Sequence, residues 1–136
     1  MSTIKDKNLA IIGQQEVDWA ARQMKVLEEI KTEFSSSKPL NGLSIGACMH
    51  VTKETANLML TLKAAGANVA LCASNPLSTK DSVAAYLSEN DIEVHAVHGV
   101  SNDDFFNHLN SVLDTKPDIT MDLSLIHISE PTRRST

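Results

Sequence analysis

His50, Thr52 and Glu54 alternate along one short stretch of the chain, with Val51 and Lys53 between them. Their hydrogen-bonding types complement one another. A threonine hydroxyl donates and accepts, an ionised carboxylate only accepts, and a neutral imidazole does one at each ring nitrogen. Such a set can read the edge of a heterocycle such as adenine. An exocyclic amine would donate to Glu54, while a ring nitrogen would accept from a hydroxyl or a backbone N–H. A plainer role also fits: Thr52 capping a helix, Glu54 complementing its positive end, and His50 standing in a turn.

The flanking sequence decides where these groups stand. Residues 43–48 form a continuous apolar run ending in Cys48, which reads as a buried parallel strand, and residues 56–65 carry apolar side chains at helical spacing. The three polar residues therefore occupy a strand-to-helix junction, where open α/β sheets bind ligands and the first helical N–H groups are unpaired. The pattern repeats. Residues 68–73 are a second apolar run, and Ser74-Asn75-Pro76-Leu77-Ser78-Thr79 makes a second polar strand-end loop. Ser78 with Asp81 resembles a capping box opening a helix to about residue 89. Residues 92–97 form a third strand, Ser101 with Asp104 opens a helix reaching about residue 113, and residues 118–122 form a fourth strand.

Alternating strands and helices predict a doubly wound parallel sheet, flavodoxin-like or Rossmann-like, ending after about four strands. Gly66 is the expected left-handed cap of the helix over residues 52–65. Before the first strand, residues 6–13 read as a short helix or turn. Residues 14–34 read as one helix with Val17, Ala20, Ala21, Met24, Leu27 and Ile30 in a stripe, and with Trp19 either on the same face or marking a contact with a missing partner or domain. Ser35-Ser36-Ser37-Lys38-Pro39 is expected to stop it.

With 136 residues, 42% of them hydrophobic, 21% charged and a formal net charge of −5, the chain fits one folded domain. An acidic balance argues against nucleic acid as a partner. No apolar run approaches a membrane span, and Lys5, Asp6 and Lys7 stand where a secretory signal needs apolar residues, so a cytoplasmic location is expected. Cys48 and Cys72 read as reduced core thiols. His95, His98 and His108 lack the companion ligands of a metal site and read as surface imidazoles. No Gly-x-Gly occurs, so the dinucleotide fingerprint is absent.

Longer motifs add to this reading. Trp19-Ala20-x-x-x-Met24-x-Val26-Leu27, Lys38-Pro39-Leu40-x-Gly42, Cys48-Met49-His50-Val51-Thr52-Lys53-Glu54-Thr55-Ala56, and the run from Ala70 through Asn75-Pro76-Leu77-Ser78-Thr79 to Asp81 closely resemble the N-terminal part of the adenosylhomocysteinase family. The resemblance spans residues 4–122. It implies that residues 1–122 are the first part of a substrate-binding domain for S-adenosylhomocysteine, in an enzyme completed by a separate NAD domain and assembled as a homotetramer. It implies a reversible hydrolysis to adenosine and homocysteine: NAD oxidises the ribose 3′-hydroxyl, homocysteine is eliminated, water adds, and the ketone is reduced again. Matched by motif, Thr52 and Glu54 would contact the adenine edge, and His50 would lie near the ribose and 5′ side as a candidate proton-transfer or positioning group. Ser78 and Thr79 would belong to the second loop lining the same pocket.

The resemblance stops after Asp122. The family continues with a second aspartate, a candidate catalytic base, where Leu123 stands here. Residues 123–136 resemble the translation of a sequencing adapter and are read as a non-native tail, so the chain is expected to be a fragment without turnover. The rival from another class is a small non-catalytic α/β module that binds adenosine. A receiver-like signalling domain is disfavoured because Cys48, Met49 and His50 stand where its acidic cluster should be.

Overall fold

The computed structural model describes residues 2–122; the sequence reading of residues 123–136 as a tail lies outside them. The two longest apolar runs become the central strands, β1 (Ser44–Cys48) and β2 (Asn68–Cys72), paired in parallel from Ser44↔Asn68 to Cys48↔Cys72. Strand β3 (Glu93–His95) flanks β2, and β4 (Ile119–Asp122) flanks β1 on the other side. The resulting four-stranded sheet has the order β3-β2-β1-β4, all parallel. The chain winds outward from β1 to β3, then crosses back beyond β1. The carboxyl ends of β1 and β4 therefore border a topological switch point, where a sheet of this kind opens a crevice.

Parallel strands need crossovers, and helices supply them. Helix α3 (Lys53–Ala64) joins β1 to β2, α4 (Asp81–Glu89) joins β2 to β3, and α5 (Asn102–Leu113) joins β3 to β4. Alternation along the strands sends Ile45, Ala47, Val69, Leu71 and Val94 into the main core with Met59, Val83 and Leu87 of α3 and α4. Gly46, Cys48, Ala70 and Cys72 face the other way, where Val112 and Leu109 of α5 cover them. Helix α3 ends as expected: Gly66 (φ +102) follows the last turn, Ala67 N–H donates to Leu62 O at 3.2 Å, and Gly66 N–H donates to Lys63 O at 3.0 Å. These are the two bonds of a Schellman cap.

The N-terminal region departs from the sequence reading in three ways. The single helix expected over residues 14–34 is two helices, α1 (Ala10–Ala21) and α2 (Lys25–Ser37). Gln23 N–H and Met24 N–H bond to Ala20 O and Ala21 O three residues back, tightening the last turn of α1, and Met24 leaves helical geometry at φ −118, ψ 59. The break lets α1 pack on both α3 and α4 while α2 turns onto α3. Trp19 is not on the buried face; it is 52% exposed, with Lys53 Nζ 5.8 Å from its ring centroid. Nor do the serines stop the helix. Ser35 and Ser37 lie within α2, their hydroxyls donating to Lys31 O and Glu33 O, and Lys38 ends it in the left-handed region at φ 46.

Candidate functional site

The loops after β1 and β2 are bound to each other. Val51 N–H donates to Ser78 O at 2.8 Å and Lys80 N–H donates to Val51 O at 2.9 Å, so Val51 and Thr79 pair like a short extension of the sheet. Two side-chain groupings sit on either side of this clasp. On one side, Thr52 caps α3, its Oγ1 accepting from Thr55 N–H at 3.3 Å. Thr52, Lys53 and Glu54 then line a cavity of about 160 Å³ with Glu16 of α1 and Lys80 and Val83 from the start of α4. Glu16 is held there by Lys80 Nζ at 3.3 Å and by a hydrogen bond from the Ser82 hydroxyl. Lys53 Nζ lies 3.3 Å from the exposed Glu54 carboxylate.

On the other side, His50 Nδ1 lies 3.1 Å from Ser74 Oγ, and Ser74 Oγ lies 3.2 Å from Ser78 Oγ. Ser78 Oγ donates to Asn75 O at 3.0 Å and accepts from Asn75 N–H at 3.1 Å, while Asn75 Oδ1 accepts from Leu77 N–H at 2.9 Å. Ser78 thus closes the Asn75 turn and caps no helix. This corrects the capping-box reading: α4 begins only at Asp81, its N-terminal cap Lys80 makes no side-chain cap bond, and Asp81 Oδ1 accepts from His98 N–H at 3.0 Å. Tying Asn75 to Ser78 keeps the loop polar end at the β2 strand tip instead of extending the helix.

Thr79 is 7% exposed, and its Oγ1 has no hydrogen-bond partner among the described residues. A buried hydroxyl left unpaired costs about 1–3 kcal/mol, a penalty that a bound polar group relieves. The candidates from sequence therefore divide. Thr52 and Glu54 share the cavity, His50 and Ser78 share a hydrogen-bonded chain, and buried Thr79 sits at the clasp between them. Sequence reasoning missed Ser74 as the partner of His50, although the Ser-Asn-x-x-Ser spacing is a turn signal. Glu16 carries no local signal, because only the packing of α1 on α4 brings it near.

The remaining histidines and cysteines also differ from expectation in part. His95 and His108 are buried, at 5% and 9% exposure, and are not surface imidazoles. His95 is held between Thr3 Oγ1 at 3.1 Å and Glu93 Oε2 at 2.8 Å, with the His108 ring 6.5 Å away. Burial, and then the neighbouring His95, push the His108 pKa below its ordinary value, against a smaller opposing pull from Asp104. Cys48 and Cys72 are buried, unbridged and directly paired across the sheet. The hydrogen bond with the Cys48 thiol, followed by burial, pushes the Cys72 thiol far up. Among the described residues, no group of three His, Cys, Asp or Glu is placed to hold a metal ion, and no helix is long and apolar enough to cross a membrane.

The family model for S-adenosyl-L-homocysteine hydrolase matches residues 1–126, which takes in β1 to β4 and both strand-end loops. The chain belongs to the S-adenosyl-L-homocysteine hydrolase family. An adenosylhomocysteinase of Sulfolobus acidocaldarius is 47% identical over 119 residues, covering 88% of this chain and 29% of the relative. One from Aquifex aeolicus is 46% identical over 134 residues, covering 94% of this chain and 32% of the relative. One from Thermosynechococcus vestitus is 48% identical over 120 residues, covering 88% and 28%. The chain thus spans about three tenths of the length of these S-adenosyl-L-homocysteine hydrolase relatives.

Proposed function

We propose that this chain is the opening part of the substrate-binding domain of an enzyme that reversibly hydrolyses S-adenosylhomocysteine to adenosine and homocysteine. The observation that supports the reading is the backbone pairing of Val51 with Thr79, which joins the loop carrying His50, Thr52 and Glu54 to the loop carrying Ser78 and the unpartnered Thr79 hydroxyl. Glu54 would accept from the adenine amine, and the Thr52 hydroxyl would meet a ring nitrogen while remaining the cap of α3. His50 would hold or move a proton on the ribose side, and Ser78 and Thr79 would line the second wall. The proposal carries with it a cytoplasmic, homotetrameric complete enzyme.

NAD, which the family resemblance implies, does not fit the residues described here. The turn from β1 into α3 contains no glycine, and the β-branched Thr52 stands at the cap where a pyrophosphate would need close backbone approach. By itself, the chain is proposed to recognise adenosine without turnover.

Titration calorimetry with adenosine tests the reading, using this chain and its Glu54→Gln form. Losing a hydrogen bond to a charged group should weaken binding roughly tenfold or more. Equal affinities would remove Glu54 from the site. Released homocysteine thiol, assayed after incubating the chain with S-adenosylhomocysteine and NAD, should stay at background; a steady increase would overturn the proposed lack of turnover.

A further inference from the structure

We propose that the second strand-end loop acts as a hydroxyl relay, running from Asn75 O through Ser78 and Ser74, that fixes the ring proton of His50 on Nδ1 and leaves Nε2 as the proton-accepting atom. The inference rests on the assignment of His50 as the proton-transfer group and adds which nitrogen acts and which residues position it. The proton count along the loop fixes the direction. Asn75 O has none, so the hydrogen bond at 3.0 Å uses the single hydroxyl proton of Ser78. Ser78 Oγ then has only lone pairs to offer, one to Asn75 N–H at 3.1 Å and one to Ser74 at 3.2 Å. Ser74 must therefore donate its own proton to Ser78. Having done so, Ser74 Oγ can only accept at 3.1 Å from His50 Nδ1, which must carry the hydrogen.

A neutral imidazole has one N–H, so protonation of Nδ1 leaves the Nε2 lone pair for a ligand. The direction runs one way because the chain starts at a carbonyl, which cannot donate. Ser74, Ser78 and Asn75 are positioning residues here: they act on chemistry only through the orientation and tautomer of His50. The loop also holds its own shape through Asn75 Oδ1 and Leu77 N–H. The relay is accordingly present before any ligand arrives.

Nitrogen-15 NMR of the histidine-labelled chain, at a pH where imidazole is neutral, reads the tautomer directly. A His50→Gln sample identifies the signal among the five histidines. The wild-type ring should carry its proton on Nδ1. Ser74→Ala should move it to Nε2, the position an unconstrained imidazole prefers, whereas Ser74→Thr, which keeps the hydroxyl, should retain Nδ1. Ser78→Ala is the discriminating variant: it does not touch His50, yet it frees the Ser74 proton to be donated to Nδ1 and so should also shift the ring proton to Nε2. Nε2 protonation in the wild type, or an unchanged tautomer in Ser78→Ala, would overturn the relay. An Nδ1 proton in a chain that binds no adenosine would leave the relay standing and remove the substrate assignment instead.

Discussion

The two faces of the sheet are built from different materials. Toward α3 and α4 the strands present Ile45, Ala47, Val69, Leu71 and Val94, all buried and all aliphatic. Toward α5 they present Gly46, Cys48, Ala70, Cys72 and His95, small or titratable residues under a single helix. At the strand ends this second face carries an uninterrupted row, because His95 pairs with Cys72, Cys72 with Cys48, and Cys48 with Asp122. One face secures the fold by removing apolar area from water. The other keeps chemically responsive groups close to the switch point, and its stability depends on close approach more than on bulk.

The sharpest way to separate the faces is to remove volume from the first. Leu71, fully buried at the sheet centre, replaced by alanine should lower the unfolding free energy by about 2–5 kcal/mol in urea titrations. A loss below that range would show that the aliphatic face collapses around the gap. Adding volume to the second face should cost less. An alanine Cβ at Gly46 would come within 3.0 Å of Pro117 Cγ and 3.1 Å of Val112 Cγ1, so Gly46→Ala should destabilise by about 1–3 kcal/mol. No loss would mean that α5 and the turn at Pro117 yield freely, and that the two faces do not differ in rigidity.

Acid should act on the α5 face through His108. His108 has a folded-state pKa below its ordinary value, so between the two values the unfolded chain binds the proton more readily than the folded chain. Its contribution is undiminished above about pH 6.5 and falls as the pH drops through that value toward the folded pKa. His108→Leu should therefore flatten the acid side of a stability–pH curve while leaving the neutral side nearly unchanged. An equal acid slope in both proteins would assign the sensitivity elsewhere. The smallest effect concerns the thiols: a thiol reagent should modify Cys48, at 8% exposure, before Cys72, which is fully buried and held protonated. Peptide mapping of a partial reaction reads the order.

Much of this arrangement is legible in the residues because strands and crossovers announce themselves locally. The apolar runs at β1 and β2, Ser101 at the start of α5 (its Oγ accepting from Asp104 N–H at 3.1 Å) and Gly66 after α3 each carry their own physical signal. The bend between α1 and α2 does not, since Arg22-Gln23-Met24 contains neither glycine nor proline and the apolar spacing runs through it. The exposed position of Trp19 is hidden by the same spacing. Ser78 misleads because Ser-x-x-Asp fits a cap as well as a turn, and only the bonds to Asn75 and Ser74 decide. His95 is unreadable as a core residue until Thr3 and Glu93 supply both of its ring contacts.

The backbone pairing of Val51 with Thr79 has an entropic consequence. Two separate loops would each have to be immobilised by a ligand, whereas loops already joined by Val51 N–H to Ser78 O and Lys80 N–H to Val51 O enter the complex as one body. Much of the ordering cost of association is thereby met during folding, and a small ligand can convert more of its contact energy into affinity. A displacement felt at His50 is also carried to Ser78 and Thr79 without any side chain having to transmit it. The clasp makes the pocket wall a single mechanical part.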